Sequence, residues 1–323
     1  MTTEKKLTKG VGMRLGELEK FLDRSERVLL LLHRAPDGDT IASSLALAYY
    51  LRKIGKIADC ASSEEIPKIF QFLPGISGVK SDFFLGDYDL IIAVDCGDAN
   101  RTGFPARLAT VCKKKPLINI DHHLKSDLHK IARLNLVDEK ASAAAEIIWD
   151  ILKLFGAEID SRLATYILAG IYYDTGGFQH SNVTDKTLKI VSECLRLGGR
   201  IALISQNIGS SKSYPALKLT GIALKRIKLK SNGIITSFLT CDDLKDVGAD
   251  AEDASGIVNL INSVPDSKIA ILFVELPDGT IKASLRTEKD EIDVSKLARL
   301  FGGGGHHKAA GFAINGDLKR LCA

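Results

Sequence analysis

The chain has few cysteines, and none of them forms a Cys-x-x-Cys pair. Its six cysteines are scattered along 323 residues, which argues against a zinc knuckle and against a disulfide framework. The sequence also lacks an apolar run of membrane-spanning length. Residues 1–12 are polar and rich in lysine, unlike a secretory signal. These absences predict a cytoplasmic protein that has no membrane partner.

Aromatic residues are also sparse, at 6 % of the sequence, and the net charge is only +4. Proteins that follow a long single strand of nucleic acid use basic grooves with aromatic side chains for base stacking. This composition gives little support for such a groove. The rest of the composition, 45 % hydrophobic and 26 % charged, is that of a globular protein, and the length is sufficient for two domains.

What the sequence does contain is a series of short apolar runs, several of which end in acidic or histidine residues. These runs have the composition of parallel strands buried on both faces, and helical patterns lie between them, which predicts an α/β fold with a mainly parallel, helix-covered sheet. The predicted strands are Val28–Leu32, Ile57–Ala61, Leu90–Val94, Leu117–Asp121 and Leu134–Val137. The predicted helices are Leu15–Arg24, Thr40–Ile54 with Thr40 as its cap, Ile66–Phe72, Ser142–Phe155, Ser161–Tyr173, Asp185–Leu197 and Ile201–Ile208.

The C-terminal part of the sequence predicts a smaller α/β domain. Its strands are expected at Ile234–Leu239, Ile269–Glu275 and Ile281–Leu285, and its helices at Pro215–Arg226, Asp253–Ser263 and Val294–Phe301. We therefore expect a first domain over residues 1–200, a linker over 201–212 and a second domain over 213–323.

Four predicted element ends carry carboxylates and imidazoles, the side chains that bind hard divalent ions. They are His33, Asp37 and Asp39; Asp95; Asp121-His122-His123; and Asp174. Each has an ordinary structural alternative: Asp37 and Asp39 could form a turn, Asp95 could cap a helix, and Asp174 could be a loop residue. As a set without thiolates, they suit Mn²⁺, Mg²⁺ or Co²⁺ better than structural zinc. About six ligands fit two ions that share one carboxylate.

The same residues resemble a known family. The segments His33-x-x-x-Asp37-x-Asp39, Val94-Asp95-Cys96, Asp121-His122-His123 and Asp174-Thr175-Gly176 are spaced and ordered like the four motifs of the DHH phosphoesterase superfamily. The segments Ser284-Leu285-Arg286, Asp293-Val294-Ser295 and Gly302–Gly305, the last followed by His306 and Ala309-Ala310-Gly311, resemble the DHH-associated substrate domain. The combination is similar to the NrnA-like group, which degrades very short oligoribonucleotides (nanoRNA) and removes the 3′-phosphate of pAp (3′-phosphoadenosine 5′-phosphate).

The resemblance implies roles for individual residues. One ion, with Mn²⁺ as the expected metal, is held by His33, Asp37 and Asp95, and the other by Asp39, Asp95, His122 and Asp174. Asp95 bridges the two ions, and His123 faces the substrate phosphate, so both are assigned to catalysis. The substrate is expected to contact Arg286, Gly303, Gly304, Gly305 and His306, because a guanidinium and glycine amides can bind phosphate oxygens. A surface cation and a flexible turn are the ordinary alternatives.

Two positions depart from the family pattern. Ala42 stands where glycine is usual, and Ala143 stands where a second hydroxyl residue usually follows Ser142. The second departure puts a hydroxyl role at that position in doubt. His129, His180 and His307 lie outside the motifs, and we expect each to be solvated or satisfied by local hydrogen bonds.

The expected function is hydrolysis of very short oligonucleotides and of the 3′-phosphate of pAp, so the expected partners are short oligonucleotides and nucleotide bisphosphates. Alternatives are a family II-type inorganic pyrophosphatase, a RecJ-like single-strand exonuclease, a cyclic-dinucleotide or linear dinucleotide phosphodiesterase, and a metal-free binding module. The glycine-rich His motif argues against the first, the short chain and few aromatics against the second, and the complete ligand set against the last. A homodimer, the cleavage polarity and the preference for RNA or DNA stay open.

Overall fold

The computed structural model describes residues 9–111, 114–123, 127–209, 213–316 and 318. The chain divides into two compact units, Met1–Ser211 and Lys212–Ala323. None of the helices within the described ranges combines the length and the apolar character needed to cross a membrane.

The first unit is built on a five-stranded sheet in which every neighbouring pair is parallel. Its strands are β1 (Arg27–Leu31), β2 (Ile57–Ala61), β3 (Leu90–Val94), β4 (Leu117–Asp121) and β5 (Leu134–Val137), in the order β2-β1-β3-β4-β5. The predicted parallel sheet is confirmed. The chain leaves β1 on one side to form β2 and then returns to its other side as β3. In open α/β sheets, ligands bind beyond the carboxyl ends of the strands at such a switch point.

Helices pack on both faces of this sheet, so alternate residues of each strand enter two separate cores. Val28 and Leu30 of β1 belong to the larger core, whereas Leu29 and Leu31 belong to the smaller one. This double burial explains why the strand sequences are uninterrupted apolar runs. The helices are α1 (Lys9–Asp23), α2 (Gly38–Lys53), α3 (Pro105–Val111), α4 (Leu128–Ile131), α5 (Ala144–Leu154), α6 (Ser161–Asp174), α7 (Asp185–Arg196) and α8 (Ile201–Ile204).

Several details of the first unit differ from the sequence prediction. The short helix expected at Ile66–Phe72 is a single 3₁₀ turn over Lys68–Phe70, and α3 and α4 were not predicted. The helix expected at Ile201–Ile208 is α8 followed by a π-helical turn over Ser205–Gly209, and residues 210–212 of the expected linker lie outside the described residues.

The second unit is built on a six-stranded mixed sheet. Its strands are β6 (Lys228–Leu229), β7 (Ile234–Leu239), β8 (Ile269–Glu275), β9 (Thr280–Arg286), β10 (Gly304–His306) and β11 (Ala309–Asn315), in the order β10-β11-β9-β8-β7-β6. Of these six strands, β7 and β8 form the parallel pair and the other neighbours are antiparallel. The helices are α9 (Tyr214–Lys225), α10 (Cys241–Val247), α11 (Ile257–Asn262) and α12 (Val294–Leu300).

The prediction for the second unit found β7, β8 and β9 but not β6, β10, β11 or α10. The helix expected over Asp253–Ser263 begins only at Ile257, because Gly256 adopts a positive φ of 80° after a 3₁₀ turn. A flexible turn was the ordinary alternative for the glycine run Gly302–Gly305, yet Gly304 and Gly305 begin strand β10.

Candidate functional site

The acidic and histidine residues selected from the sequence meet beyond the carboxyl ends of β1, β3 and β4. They form three overlapping groups in which the possible ligand atoms all lie within 4.8 Å of one another. These groups are His33–Asp37–Asp95, Asp39–His122–Asp174 and Asp95–His122–His123. The structure therefore brings together all seven first-unit residues that the sequence proposed.

Asp95 lies at the centre of this arrangement, directly after the central strand β3. Its Oδ2 is 3.8 Å from Nε2 of His33, whereas its Oδ1 is 3.4 Å from Nε2 of His122. The residue is buried and adopts a positive φ of 59°, and its N–H donates to the carbonyl of Ile120 on β4 (2.8 Å). It does not cap a helix. A left-handed aspartate is costly and persists where the surrounding structure holds it, and here it aims one oxygen at each histidine.

In the loop that follows β1, one polar atom of His33 and one of Asp37 bond to the backbone, and these bonds orient both side chains. Nδ1 of His33 donates to the carbonyl of Arg34 (2.6 Å), which leaves Nε2, 3.4 Å from Oδ2 of Asp37, as the nitrogen that can bind a cation. Oδ1 of Asp37 accepts the N–H groups of Asp39 and Thr40 (3.0 and 3.2 Å). Asp37 is therefore the N-cap of α2, with Oδ2 still directed into the site.

Thr40 was expected to cap α2, and this prediction was wrong. Its hydroxyl instead donates to the carbonyl of Val94 (2.8 Å) and accepts the N–H of His33 (3.3 Å). Thr40 thus links the ends of β1 and β3, the two strands at the switch point.

Asp39 is held at the N-terminus of a helix from a distant part of the chain. Its carboxylate accepts the N–H groups of Ala144 (2.5 Å) and Ala145 (3.0 Å) at the start of α5, and the hydroxyl of Ser43 (2.9 Å). Ala143, which departs from the family pattern, makes no side-chain cap. The Asp39 carboxylate takes that place, so α5 is capped without a hydroxyl at position 143.

His122 completes the second group. Its Nδ1 donates to the carbonyl of Ala141 (3.3 Å), and its Nε2 lies 3.1 Å from Oδ2 of Asp174 and 4.0 Å from Oδ2 of Asp39. Asp174 is the last residue of α6. The backbone carbonyl of Asp174 is contacted by two side chains, His180 through Nδ1 (3.1 Å) and Asn182 through its amide (3.3 Å).

His123 is oriented by Asp121, which the sequence had placed in the motif without a role. Oδ1 of Asp121 accepts both the N–H and the Nδ1–H of His123 (3.0 and 2.8 Å), and its Oδ2 accepts the N–H of Gly97 (2.7 Å). Nδ1 of His123 also lies 3.2 Å from Oδ1 of Asp95. The imidazole of His123 is thereby fixed beside the Asp95 carboxylate, which belongs to two of the three groups.

The protonation of the site reflects this crowding of opposite charges. Burial lowers the pKa of His122, but the adjacent Asp174 and Asp95 carboxylates raise it to about 12. Hydrogen bonding to Asp121 and the nearby Asp95 raise the pKa of His123 to about 9. Burial and neighbouring carboxylates raise the pKa of Asp39 well above its ordinary value. The metal-free site thus holds protons that a cation would displace.

Three polar atoms show that the site suits cations. Among the described residues, Nε2 of His33, Nε2 of His122 and Oδ1 of Asp95 are buried beside carboxylates or imidazoles at 3.1–3.8 Å, but none of them makes a hydrogen bond of good geometry. Buried polar atoms normally have partners, and unmet ones call for an explanation such as an ion. Carboxylate oxygens and imidazole nitrogens in this arrangement are the donors expected around divalent metals.

The substrate-binding residues proposed from the sequence lie in the second unit. Arg286 of β9 pairs with Ala309 of β11, which pairs in turn with His306 of β10. Directly opposed residues point to the same face of a sheet, so the Arg286 and His306 side chains share one face. Arg286 is half-buried, and its Nη1 donates to the carbonyl of Leu285 (2.8 Å).

The glycine run only partly fits the expected phosphate cradle. The N–H of Gly303 donates to the carbonyl of Ala298 (2.9 Å), so this amide is already engaged. A Cβ at Gly303 would lie 2.2 Å from the Gly311 carbonyl oxygen, and one at Gly305 would lie 2.5 Å from that of Ala309. Gly303 and Gly305 are therefore required for close approach to β11, and the exposed Gly304 lies between them.

Sequence reasoning missed the residues that support the ligands. Ala141, Glu146 and Asn182 were not singled out, and His180 was expected to be unrelated to the site. Ser142 and Glu146 are four residues apart, one more than the spacing of a capping box, so this pair gave no recognisable signal. The long-range contacts of these residues had no signal in the sequence.

Comparisons with known proteins agree with this architecture. The model of the DHH family N-terminal domain matches residues 27–171, and the DHHA1 domain model matches residues 231–322. The chain is 28 % identical to the bifunctional oligoribonuclease and PAP phosphatase NrnA of Bacillus subtilis, over 95 % of this chain and 98 % of that protein. It is 29 % identical to the protein of the same name from Thermus thermophilus, over 90 % of this chain and 84 % of that protein.

The fold also occurs in a crystal structure of an exopolyphosphatase-related protein from Bacteroides fragilis. The TM-score is 0.87 at 24 % identity, over 96 % of this chain and 93 % of that one. This likeness concerns the fold alone. The assignment rests on the two matched domain models: the chain belongs to the DHH superfamily, with an N-terminal DHH domain and a C-terminal DHHA1 domain.

Proposed function

We propose that this chain hydrolyses the phosphodiester bonds of very short oligonucleotides and removes the 3′-phosphate of pAp. The chain is a hydrolytic phosphoesterase by its family, and relatives similar over nearly its whole length are named as bifunctional oligoribonucleases and PAP phosphatases. The pyrophosphatase, RecJ-like and cyclic-dinucleotide alternatives are less favoured by these relatives.

The observation that carries the proposal is the position of Asp95. Its two oxygens face different histidines, His33 and His122, as expected of a carboxylate that bridges two ions. His33, Asp37 and Asp95 would hold one ion. The other ion would be held by Asp39, Asp95, His122 and Asp174. The oxygen-rich donor set favours Mn²⁺, with Mg²⁺ or Co²⁺ as alternatives.

When bound, divalent ions supply a water of lowered pKa and stabilise negative charge on phosphoryl oxygens. The side chains orient the other participants. Asp121 holds Nδ1 of His123, and we assign to Nε2 the donation of a hydrogen bond to a phosphate oxygen in the transition state. The Asp95 carboxylate, 3.2 Å from Nδ1 of His123, holds the imidazole beside the proposed metal ligands.

The second unit would contribute phosphate contacts to substrate binding. Arg286 and His306 share one face of the sheet, where a guanidinium and an imidazole could contact one phosphate. Gly304 and Gly305 would line this contact, whereas the Gly303 amide is engaged with Ala298.

The location proposed for this activity is the cytoplasm. Cys60, Cys96, Cys194 and Cys241 are free thiols, as is usual in a reducing compartment.

The test is a turnover panel in which the metal-free chain is supplied with Mn²⁺, Mg²⁺ or Co²⁺ in turn. The substrates are pAp, a dinucleotide, a 3-mer, a 24-mer, a cyclic dinucleotide and pyrophosphate. We expect kcat/KM to be highest for pAp and for the shortest oligonucleotides and to fall steeply towards the 24-mer. Each added nucleotide must be ordered on binding, and the sparse aromatics provide little stacking in return.

Other outcomes of the panel would point elsewhere. Processive degradation of the 24-mer at an efficiency equal to that of the 3-mer would replace the proposal with a RecJ-like function. Turnover of pyrophosphate alone would indicate a pyrophosphatase. Full activity after exhaustive chelation and dialysis would remove the metal from the proposal.

A further inference from the structure

The segment that enters α5, residues 141–145, contacts two candidate ligands through its backbone. The carbonyl of Ala141 accepts Nδ1–H of His122 (3.3 Å). The N–H groups of Ala144 and Ala145 donate to the carboxylate of Asp39 (2.5 and 3.0 Å). We call these five residues the entry segment. Its conformation sets the orientation of an imidazole and a carboxylate that belong to the same three-residue group.

The entry segment is also connected to the third member of that group, Asp174. The side-chain amide of Asn182 donates to the carbonyl of Ser142 (3.0 Å) and lies 3.3 Å from the carbonyl of Asp174. One amide therefore joins the segment to the end of α6. Asp39, His122 and Asp174 all depend on where the entry segment lies.

A buried carboxylate holds the segment in place. Glu146 is only 1 % exposed, and its Oε2 accepts the N–H and the hydroxyl of Ser142 (3.1 and 2.8 Å) and the hydroxyl of Thr187 at the start of α7 (3.2 Å). Its Oε1 lies 3.0 Å from Nζ of Lys186. The Lys186 ammonium and the Thr187 hydroxyl thus hold the Glu146 carboxylate in place, and this carboxylate in turn holds Ser142.

Ordinary helix capping does not account for Glu146. In a capping box, the third residue of a helix accepts the N–H of the N-cap residue, which here is Ala143. Glu146 reaches one residue further back, to Ser142, and the first N–H groups of α5 are already bonded to Asp39. Its hydrogen bonds therefore serve the entry segment.

We propose that Glu146 is a positioning residue for the Asp39–His122–Asp174 group. This inference rests on the dimetal site of the proposed function. Residues that orient metal ligands change metal affinity about 10–100-fold when removed. Because Glu146 does not contact His33 or Asp37, its effect is confined to one of the two ions.

The experiment compares Glu146→Ala, Glu146→Gln and Asp150→Ala in the full chain. Asp150 is the matched control, because its Oδ2 is the other partner of Lys186 (2.8 Å) and lies outside the entry segment. Mn²⁺ is titrated into each metal-free protein by calorimetry. Amide hydrogen exchange of Ala144 and Ala145 is followed by NMR without metal, so that one readout is independent of ion binding.

For Glu146→Ala we expect one of the two Mn²⁺ affinities to fall about 10–100-fold and the other to stay within about 3-fold, with faster exchange at Ala144 and Ala145. Glu146→Gln keeps an oxygen for Ser142 and should retain both affinities within about 3-fold. Asp150→Ala should match the wild type in both readouts.

Unchanged Mn²⁺ affinities in a folded Glu146→Ala protein, or an equal loss at both ions, would overturn the inference. If Glu146→Ala does not fold, the same titration is made with Ser142→Ala. A fall in Mn²⁺ affinity of about 3-fold or more at one ion supports the inference, and unchanged affinities overturn it. A wild-type protein that binds fewer than two ions contradicts the proposed function itself, whereas two ions in the wild type with insensitive variants contradict only the role of Glu146.

Discussion

The buried carboxylate of Asp39 accepts the backbone N–H of Ala144, a residue 105 positions later in the chain. This contact joins the start of α2 to the start of α5. The N-terminus of a helix favours negative charge, which opposes the effect of burial and of neighbouring carboxylates on the pKa of Asp39. The helix is therefore part of what keeps a fully buried carboxylate available as a ligand.

Replacing Asp95 with asparagine should abolish turnover. The amide keeps the shape of the carboxylate but removes its charge and one acceptor oxygen. Losing about 4 kcal/mol of stabilisation corresponds to a fall in kcat/KM of about 1000-fold, measured on a dinucleotide with Mn²⁺. The control is Asp160→Asn at the N-terminus of α6, where asparagine is an equally good N-cap. Near-wild-type turnover of Asp95→Asn would rule out a bridging role.

Gly170 of α6 should not tolerate a methyl group. A Cβ there would lie 2.6 Å from both the Ala145 Cβ and Oδ1 of Asp39, so Gly170→Ala should lower the free energy of unfolding by about 1–3 kcal/mol and weaken metal binding. The measurement is urea unfolding with and without Mn²⁺. Gly221→Ala in α9 is the control, because no atom lies within 4 Å of its added Cβ. This variant should gain up to about 1 kcal/mol from helix propensity. Equal stability of the two variants would contradict the packing argument.

Without metal, the protein should become less stable between pH 6.5 and 9. Hydrogen bonding to Asp121 and the nearby Asp95 raise the pKa of His123 to about 9, from an unfolded value of about 6.5. Burial lowers the pKa of His122, but the adjacent carboxylates raise it to about 12. The folded state therefore binds more protons, and a raised pKa contributes stability that is lost as the pH rises. Thermal unfolding in chelator measures this effect, and a Tm that rises over this range would contradict it.

Metal binding should show the opposite dependence on pH. Imidazoles bind metal only when deprotonated, so Mn²⁺ affinity should increase from pH 6.5 to 9, and binding should release protons. Calorimetry in two buffers of different ionisation enthalpy measures the number released. Binding without proton release at pH 7 would show that the histidines are already neutral in the metal-free protein.

Arg286→Ala should weaken substrate binding without impairing the chemistry. A charge-assisted phosphate contact is worth about 1.5–3 kcal/mol, so KM for pAp and dinucleotides should rise about 10–100-fold. Hydrolysis of bis-p-nitrophenyl phosphate, which lacks a second phosphate, should change little. The control is Lys282→Ala, an exposed cation on the same strand and face, about 13 Å away by strand geometry. An unchanged KM for dinucleotides in Arg286→Ala would remove this residue from the substrate site.

The parallel sheet and most of the candidate ligands could be predicted because local patterns encode them. Double burial requires an unbroken apolar run such as Leu90–Val94, and the residue after such a run must lie at the carboxyl edge of the sheet. The chemistry of Asp95 and His122 then follows from residue type alone. The antiparallel β10 and β11 were missed because Gly304 and Gly305 have the composition of a turn, and only pairing with β11 makes them a strand.

The sequence by itself determined which donor atoms are available and which ends of the elements carry them, since side-chain chemistry and burial period are local properties. Only the tertiary structure decided which atom faces which. Thr40 and Asp37 are both good N-caps, yet the Val94 carbonyl takes the Thr40 hydroxyl and leaves the cap to Asp37. The supporting role of Glu146 depends likewise on α7 packing beside α5. Hydrogen bonds between residues far apart in sequence are set by the packing of whole elements, and they leave no periodic pattern in the chain.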